Sequence, residues 1–377
     1  MNIKRNKLLE SLRFSRGIAR QHNMRVAFIK GYALGDVVRC TAITRAIKRQ
    51  ASGARITWFC SQQAFPLLLN NPDICETVSL TDRSNGSRQG HFDWVISLDE
   101  DRVSSDLAAS IRTQRLSGVF SDATGSMRFT DDLAEWYGMG LLGITPSTPL
   151  ELVNQKKRAN QRSYLSMLYD GLGIDFPLCR PIVHLSTPER QIAREMLRHA
   201  AGDGSRPIIG VFLGGGRRWE RKQWTPDQAG RILRHLSTRL DAEVVVLGGI
   251  EEADQLSKLS DAGYIAAQTA LTFTSVRTLT AVVECLSLLI TTDSLPLHLA
   301  VAVNTPLLAL FGPTSATEID IFDNGTKLIT PLPCRCCYLN TCTRAEDCRD
   351  SFEMEMIVDN VRSMLRFPKE RPRHAAE

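Results

Sequence analysis

Short apolar runs alternate with longer helical segments along most of this chain, and this alternation restricts the fold more than any other feature. The predicted strands of the first half are residues 24–29, 55–60, 94–98 and 116–120, and its predicted helices are residues 37–50 and 64–70. Strands that are separated by helices pair in parallel, with helices on both faces of the sheet. The pattern therefore predicts an α/β fold built on a doubly wound parallel sheet.

The alternation stops over residues 145–188, a stretch rich in Pro and Gln around a predicted helix at 160–172, and then starts again. The predicted strands of the second half are residues 208–213, 243–247, 288–291 and 307–311, and its predicted helices are residues 225–240, 251–259 and 278–286. We therefore expect two Rossmann-like domains that hold a ligand at the carboxyl ends of their strands. The predicted segments are a basic leader (1–23), an N-terminal domain (24–178), a C-terminal domain (179–349) and a final helix and tail (350–377).

Composition narrows the class of protein. The 377 residues, 43% of them hydrophobic, are enough to bury the cores of two domains. No apolar stretch reaches the roughly 18 residues of a membrane-spanning helix, and the start of the chain lacks the apolar core of a secretory signal. We expect a cytoplasmic protein whose ten cysteines are thiols or metal ligands rather than disulfides. A net charge of +5 is too small to indicate a nucleic-acid partner.

The leader is the most basic part of the chain, with seven Lys or Arg side chains up to Arg25 against the single acid Glu10. Leu8, Leu12 and Ala19 are spaced to form an apolar stripe on a leader helix. Such a helix could lie on an anionic membrane face, which would make the protein peripheral to the inner membrane. It could equally be a solvated helix that packs loosely on the first domain.

The first candidate site is the turn GYALGD (residues 31–36), which follows the first strand and opens the first helix. Gly35 would let a ligand approach the backbone closely. Asp36 at the helix start could simply cap the helix, or its carboxylate could act as a general base. The spacing is not G-x-G-x-x-G, and no acid ends the second strand, so we expect no dinucleotide site in this half.

The second candidate site is the segment IIGVFLGGG (residues 208–216), followed by the cations Arg217, Arg218, Arg221 and Lys222. Glycines permit close backbone approach, and the cations supply charge, so the segment can wrap a pyrophosphate. It lacks the spacing of a Walker A loop, and a flexible exposed loop is the alternative. The next strand ends in Gly-Gly, where Glu251 is placed to accept hydrogen bonds from ribose hydroxyls.

A strand–turn–helix–strand unit over residues 288–314 forms the third candidate site. Ser294 suits the N-cap of its helix, and Pro296 suits the first turn, where its missing N–H would be unpaired anyway. A helix start directs N–H groups and a positive dipole end at an anion, above all at phosphate. An ordinary βαβ turn without a ligand is the alternative.

Four cysteines form a cluster near the end of the chain, at Cys334, Cys337, Cys342 and Cys348. Four thiolates at this spacing could bind zinc or iron with tetrahedral geometry. The adjacent Cys336 obscures the assignment, and buried free thiols or an adventitious disulfide remain the alternative. With no histidine nearby in sequence, the cluster is not expected to be catalytic.

Taken in chain order, these motifs resemble glycosyltransferase family 9, the ADP-heptose heptosyltransferases. The motifs that carry the resemblance are Gly35 with Asp36, the glycine-rich loop with Lys222 and Trp224, the Leu-Gly-Gly at 247–249 with Glu251, and the stretch from Asp293 and Ser294 through His298 to Thr314. The cysteine cluster and the final helix also resemble the tail of many members. The match runs from about residue 24 to residue 365, which is nearly the whole chain.

The resemblance implies a GT-B fold, in which two Rossmann-like domains face a cleft, the N-terminal one binding an acceptor and the C-terminal one a nucleotide-sugar. It implies transfer of heptose from ADP-heptose to a hydroxyl of a lipopolysaccharide core or another acceptor, with inversion and without an essential metal. Asp36 would be the base, and Lys222 would neutralise the leaving diphosphate. The other residues implied are Gly214, Gly215, Gly216, Glu251, Asp293, Ser294, Leu295 and His298 on the donor, and Gly35 and Arg39 on the acceptor.

One departure from the family pattern affects the substrate. Where members usually have Gly after Asp-Ser or Asp-Thr, this chain has Leu295, which does not readily adopt a positive φ. The alternatives are therefore another nucleotide-sugar, a protein or small-molecule acceptor, a nucleotide-sugar epimerase of the same fold, or a catalytically silent binding protein.

Overall fold

The chain divides into two compact units. The computed structural model describes residues 23–82, 91–215, 221–339, 341–342 and 344–367. The first unit ends at His184, later than the expected end at residue 178, and also contains Thr317–Asp320. The second unit comprises the remaining residues from Leu185 onward, including the final helix. The predicted leader lies, except for Asn23, outside the described residues.

The first unit is built on a mainly parallel sheet. Its strands are β1 (Arg25–Ile29), β2 (Arg55–Cys60), β3 (Glu76–Ser79), β4 (Phe92–Ser97), β5 (Thr113–Ser121) and β6 (Met127–Phe129). Their order across the sheet is β3-β2-β1-β4-β5-β6, and only the β5–β6 pairing among those described is antiparallel. Beyond its first residue β1 is fully buried, as expected for a parallel strand that is covered on both faces.

The helices of the first unit differ from the prediction in where two of them begin and in their number. They are α1 (Leu34–Gln50), α2 (Phe65–Leu68), α3 (Arg102–Ser110), α4 (Ala134–Tyr137), α5 (Leu150–Ala159) and α6 (Tyr164–Leu172). Helix α1 begins three residues before the predicted start at 37, so Asp36 lies inside its first turn. The helix predicted at 160–172 begins only at Tyr164, because the Ser163 side chain caps it by accepting from the Ser166 N–H. Helices α3, α4 and α5 were not predicted.

The second unit is built on a parallel sheet of the same design. Its strands are β7 (Ile208–Phe212), β8 (Glu243–Gly249), β9 (Ala270–Phe273), β10 (Leu288–Thr292), β11 (Leu307–Phe311) and β12 (Gly325–Ile329). Their order is β12-β11-β10-β7-β8-β9. The two-sheet α/β class is thus confirmed. Strands β3, β6, β9 and β12 were not predicted, because edge strands are only partly buried and lack a continuous apolar run.

The helices of the second unit are α7 (Thr187–Ala201), α8 (Pro226–Arg239), α9 (Ala253–Asp261), α10 (Val276–Cys285), α11 (Leu295–Ala302) and α12 (Met354–Arg366). Helices α7 and α8 both begin with a capping box, formed by Ser186 with Glu189 and by Thr225 with Gln228. The final helix α12 buries Ile357, Val358 and Val361 in the core of this unit. Within the described ranges, none of the helices combines the length and apolarity that a membrane crossing requires.

Strand order determines where loops meet within each unit. In the first sheet, Ile29 at the end of β1 pairs with Ser97 at the end of β4. In the second sheet, Phe212 at the end of β7 pairs with Thr291 of β10. The chain leaves these neighbouring strands in opposite directions across each sheet, and ligands of such folds bind at that point. Functional side chains are therefore expected in the loops after β1, β4, β7 and β10.

Close packing between β4 and β5 depends on a glycine. Gly118 has a φ of +106°, and a Cβ atom there would overlap the Ser97 carbonyl oxygen. Gly125 in the same unit also has a positive φ (+77°), but a Cβ there would meet only the end of the flexible Arg102 side chain. Substitution of Gly118 by Ala should therefore lower the free energy of unfolding by well over the ~1–2 kcal/mol of a left-handed residue.

Urea unfolding of the Gly118→Ala and Gly125→Ala variants separates the two effects. The Gly125→Ala variant should lose only the backbone contribution of ~1–2 kcal/mol. Equal losses in the two variants would contradict the proposed overlap with Ser97.

Candidate active site

The loop after β1 is held by a carboxylate that follows β4. Asp99 Oδ2 accepts hydrogen bonds from the N–H groups of Gly31 (2.5 Å) and Tyr32 (3.2 Å). Its other oxygen forms a buried ion pair with Lys30. Gly31 has no room for a side chain, because a Cβ would lie 2.7 Å from the Ser61 nitrogen. The loop is thus fixed before the chain enters α1.

Asp36 projects from the first turn of α1 and is surrounded by cations. Arg39 Nη1 donates to Asp36 Oδ1 at 2.9 Å, and Lys30 Nζ lies 3.9 Å from Asp36 Oδ2. The N-cap position of α1 is occupied by Ala33, in a left-handed conformation and without a side-chain cap. The alternative that Asp36 caps the helix is therefore wrong. Its side chain is 37% exposed, so a ligand can reach the carboxylate.

Arg39, predicted to contact an acceptor, is largely buried in this structure. Its guanidinium lies 4.0 Å from the centroid of the Tyr164 ring and donates to the Glu318 carbonyl oxygen at 3.2 Å. Together with its hydrogen bond to Asp36, these contacts give Arg39 a role in orienting the carboxylate. Contact with the acceptor stays a prediction for Arg39 and for Gly35, which lies beside Asp36 in the first turn.

The glycine-rich loop of the second unit folds back on itself. The Trp224 N–H donates to the Leu213 carbonyl at 2.9 Å, which closes the loop. A Cβ on Gly215 would lie 2.5 Å from Lys222 Cβ, and a Cβ on Gly214 would lie 2.7 Å from a Glu252 oxygen. Gly215 therefore leaves space for Lys222, and Gly214 leaves space for the Glu252 side chain. Gly216, Arg217 and Arg218 lie outside the described residues.

Lys222 and Asp293 form an ion pair at the end of β10. Lys222 Nζ contacts Asp293 Oδ2 at 2.8 Å and the Asp293 carbonyl oxygen at 2.9 Å, and the two side chains are 14% and 12% exposed. Burial raises the pKa of Asp293, but the Lys222 charge, the neighbouring His298 and a Thr314 hydrogen bond outweigh it and lower that pKa to about 2. Asp293 is therefore ionised at neutral pH.

Helix α11 starts directly after this ion pair, as the sequence predicted. Ser294 is its N-cap residue, although its side chain forms no capping hydrogen bond, and Pro296 lies in the first turn. Leu295 is the first helical residue, and His298 is buried on the same helix. Thr292 Oγ1 donates to the Gly214 carbonyl at 2.6 Å, which ties the helix start to the glycine-rich loop. The Lys222 ammonium, the Asp293 carboxylate and the N–H groups at the start of α11 are thus brought together in this unit.

The acid after β8 that turns inward is Glu252, which sequence reasoning missed. Glu252 is 9% exposed and accepts from the Gly249 N–H at 2.9 Å, and burial raises its pKa. Glu251, which was predicted to bind ribose, directly precedes Glu252 and is exposed. Two adjacent acids give no sequence signal for which one is buried. The role of Glu251 at a ribose stays a prediction.

The four predicted metal ligands line one pocket but do not converge. Cys334, Cys337, Cys342 and Cys348 surround about 500 Å³ of empty space together with Arg221. Within the described ranges, no three Cys, His, Asp or Glu side chains are close enough to bind a metal ion. Burial and the neighbouring Asp347 raise the pKa of Cys348 to about 11. The arrangement does not fit a four-thiolate site, and metal binding stays a prediction.

This cysteine segment supports the loop that carries Lys222. Arg221 pairs with Asp347 at 2.7 Å, and Arg349 pairs with Asp347 and also donates to the Gln223 carbonyl. Both neighbours of Lys222 are therefore anchored to residues 347–349. Because the partners in each of these two contacts are 126 positions apart, no local pattern in the sequence predicts them.

The Asp293 pKa predicts how stability depends on pH. A carboxyl whose folded-state pKa is about 2, against an ordinary 3.8, stabilises the fold above pH 3.8 and loses that contribution as pH falls toward 2. The Asp293→Asn variant should thus be less stable by about 2 kcal/mol at pH 7, and the difference should shrink between pH 4 and pH 2.

Urea midpoints measured across this pH range test the expectation. As a control, Asp254→Asn removes a carboxylate from an exposed pair with Lys258 and should change stability by less than about 0.5 kcal/mol. A deficit of Asp293→Asn that stays constant down to pH 2 would contradict the ionic origin of the effect.

Comparison with known proteins identifies the family of the chain. Residues 152–345 match the model of glycosyltransferase family 9 (heptosyltransferase). Over 150 residues the chain is 23% identical to lipooligosaccharide heptosyltransferase 2 of Campylobacter jejuni, a match that covers 38% of this chain and 47% of that relative. The matched part thus spans about half the length of the curated relative.

Two solved structures share the fold. The glycosyltransferase family 9 protein from Veillonella parvula superposes with a TM-score of 0.71 at 17% identity, covering 92% of this chain and 98% of the other. The ADP-heptose lipopolysaccharide heptosyltransferase II of Escherichia coli superposes with a TM-score of 0.62 at 17% identity, covering 91% and 98%. The two-sheet α/β architecture is that of GT-B glycosyltransferases. Because the family model covers more than half of the sequence, the chain belongs to glycosyltransferase family 9, the heptosyltransferase family.

Proposed function

We propose that this protein is an inverting glycosyltransferase that moves a heptose from ADP-heptose to a hydroxyl of an acceptor that resembles the lipopolysaccharide core. The observation that carries the proposal is the buried Lys222–Asp293 pair at the start of α11. A fixed cation, a fixed carboxylate and a helix start together suit a sugar that is linked to a diphosphate. Family membership makes glycosyl transfer the reaction to test first.

Lys222, Asp293 and the start of α11 can each take part in the reaction of the sugar donor. Breaking the bond between sugar and diphosphate builds negative charge on the leaving phosphate. The Lys222 ammonium and the N–H groups of the first turn of α11 can stabilise that charge without reorganising. A diphosphate at Lys222 would share its ammonium with Asp293, whose oxygens would accept hydrogen bonds from sugar hydroxyls. Ser294, Leu295 and His298 would complete the donor site.

Acceptor chemistry requires one base. Asp36 is a half-exposed carboxylate on a rigid helical turn, and Arg39 fixes one of its oxygens. In the proposed reaction Asp36 accepts the proton of the acceptor hydroxyl as that oxygen attacks the sugar carbon from the face opposite the diphosphate. Such general-base assistance typically accelerates a reaction by about 10²–10⁴-fold.

Identification of the substrates rests on the named relatives. Lipooligosaccharide heptosyltransferase 2 and ADP-heptose lipopolysaccharide heptosyltransferase II favour ADP-heptose as donor and a lipid-linked glycan as acceptor. A lipid-linked acceptor would bring the reaction to the cytoplasmic surface of the inner membrane. Leu295, at the first position of α11, is the residue that could favour a different sugar or nucleotide.

A thermal-shift panel of ADP-, GDP-, UDP- and dTDP-sugars tests the donor. A ligand at 100 times its Kd stabilises the folded chain by about 2.7 kcal/mol, so the true donor raises the melting temperature. We expect ADP-heptose to do so. Stabilisation by a non-adenine nucleotide-sugar alone would sink the ADP-heptose assignment.

Substitution of Asp36 separates catalysis from donor binding. The Asp36→Asn variant keeps the shape of the side chain but cannot accept a proton, so turnover should fall by about 10²–10⁴-fold. The affinity for ADP-heptose, measured by calorimetry, should stay near that of the unmodified protein. Undiminished turnover in this variant would rule out Asp36 as the base.

Substitution of Lys222 tests the donor side. The Lys222→Met variant should lose about 10²–10³-fold in kcat, the usual effect of removing one fixed group that stabilises developing charge. Lys258→Met is the control, because Lys258 is an exposed lysine of the same unit. A fall in both variants would point to a non-specific charge effect instead.

A further inference from the structure

Lys30 is a buried cation that the roles described above leave without a function. It lies at the end of β1, it is 5% exposed, and its ammonium stands between two carboxylates. One is Asp99, with which it forms a close ion pair, and the other is Asp36, 3.9 Å away. A buried charge is expensive unless it is paired, and Asp99 alone already supplies a partner. The second carboxylate therefore calls for another explanation.

Lys30 keeps its charge in this position. Burial acts to lower the pKa of Lys30, but the charges of Asp99 and then Asp36 outweigh it, so that its pKa is raised. The same Asp99 side chain accepts from the N–H groups of Gly31 and Tyr32. One carboxylate thus locks both the ammonium and the loop that leads to Asp36. Neither can shift without breaking a buried contact.

The other titratable groups around this ion pair do not supply the positive charge that Lys30 places beside Asp36 Oδ2. Burial raises the pKa of Cys40 to about 12, and it raises the pKa values of Tyr137 and Tyr164, so these three groups are neutral at physiological pH. The negative charge of Glu100 contributes to the raised pKa of Tyr137. Arg39 is the other cation at Asp36, and it is shared with the Glu318 carbonyl. Lys30 and Arg39 thus act on the two different oxygens of the Asp36 carboxylate.

We propose that Lys30 is a positioning residue that holds the Asp36 carboxylate ionised and in a fixed orientation, with Asp99 locking Lys30 in place. At 3.9 Å the ammonium acts on Asp36 Oδ2 mainly through its field. That distance exceeds a normal hydrogen bond. The effect on catalysis rests on the proposed function, whereas the effect on Asp36 ionisation does not.

The decisive experiment compares the titration of Asp36 in two proteins. In the double variant Lys30→Met with Asp99→Asn, the charges leave as a pair, and the amide oxygen introduced at position 99 can still accept from the loop N–H groups. The carboxyl carbons of ¹³C-labelled Asp are followed by NMR against pH, and the Asp36→Asn variant identifies the Asp36 signal. We expect the Asp36 midpoint to rise in the double variant, because Lys30 is the charge that contacts Asp36. The rise should be smaller than the ~1–3 units produced by a lone opposite charge, because removal of the Asp99 carboxylate acts in the other direction.

Two further variants guard against a merely structural effect. Lys48 lies on the same helix as Asp36 and binds the Ala54 carbonyl, so Lys48→Met should leave the Asp36 midpoint unchanged. Asp99→Asn alone removes the competing carboxylate, which should lower the midpoint of Asp36. This opposite direction cannot arise from general destabilisation. If the Lys30→Met double variant fails to fold, Lys30→Gln with Asp99→Asn replaces it, because this pair also removes both charges and keeps a polar side chain at position 30.

An unchanged or lowered Asp36 midpoint in whichever of the two double variants folds would overturn the proposal. In an active preparation, the acidic limb of the kcat/KM profile against pH should move with the midpoint. If the unmodified protein transfers no sugar from any donor of the panel, the proposed function fails, while the NMR titration still decides the role of Lys30.

Discussion

A buried lysine that is neutralised by an aspartate at the carboxyl end of a neighbouring strand is the interaction on which both candidate sites depend. In the first unit Lys30 meets Asp99, and in the second Lys222 meets Asp293. Each pair lies where the strand order reverses. An ion pair therefore connects loops that follow neighbouring strands of the same sheet. A fold can bury such groups only because each satisfies the other.

The two pairs serve different chemistry in our proposals. Lys222 and Asp293 are at the start of α11, where an arriving diphosphate and sugar could engage both partners. Lys30 and Asp99 are the more deeply buried pair, and Lys30 acts on the exposed Asp36 through one remaining interaction. The Lys222–Asp293 pair would thus bind substrate directly, whereas the Lys30–Asp99 pair would set the charge state and direction of the base.

The loop of Lys222 has an additional support that links it to the end of the chain. Arg221 and Gln223, on either side of Lys222, are held by Asp347 and Arg349. The cysteine segment is therefore part of the framework of the donor loop, whether or not it binds a metal ion. This gives Asp347 and Arg349 a structural role. The sequence alone suggested only metal ligation, free thiols or a disulfide for the cysteines of this part of the chain.

The amino-acid sequence by itself determined the α/β class, the central strands and the position of Asp36, Lys222 and Asp293 near strand ends. Those features follow from local periodicity and from short motifs, which depend on neighbours in sequence. Sequence reasoning misjudged the starts of α1 and α6. It also omitted four helices (α3, α4, α5 and α7) and the four strands β3, β6, β9 and β12. Only the tertiary structure decided that Lys30 faces two carboxylates, that Glu252 rather than Glu251 is buried, and that Arg349 holds the loop of Lys222. These contacts join residues from separate loops or choose between adjacent acids, and burial changes their energies by amounts that no local pattern encodes.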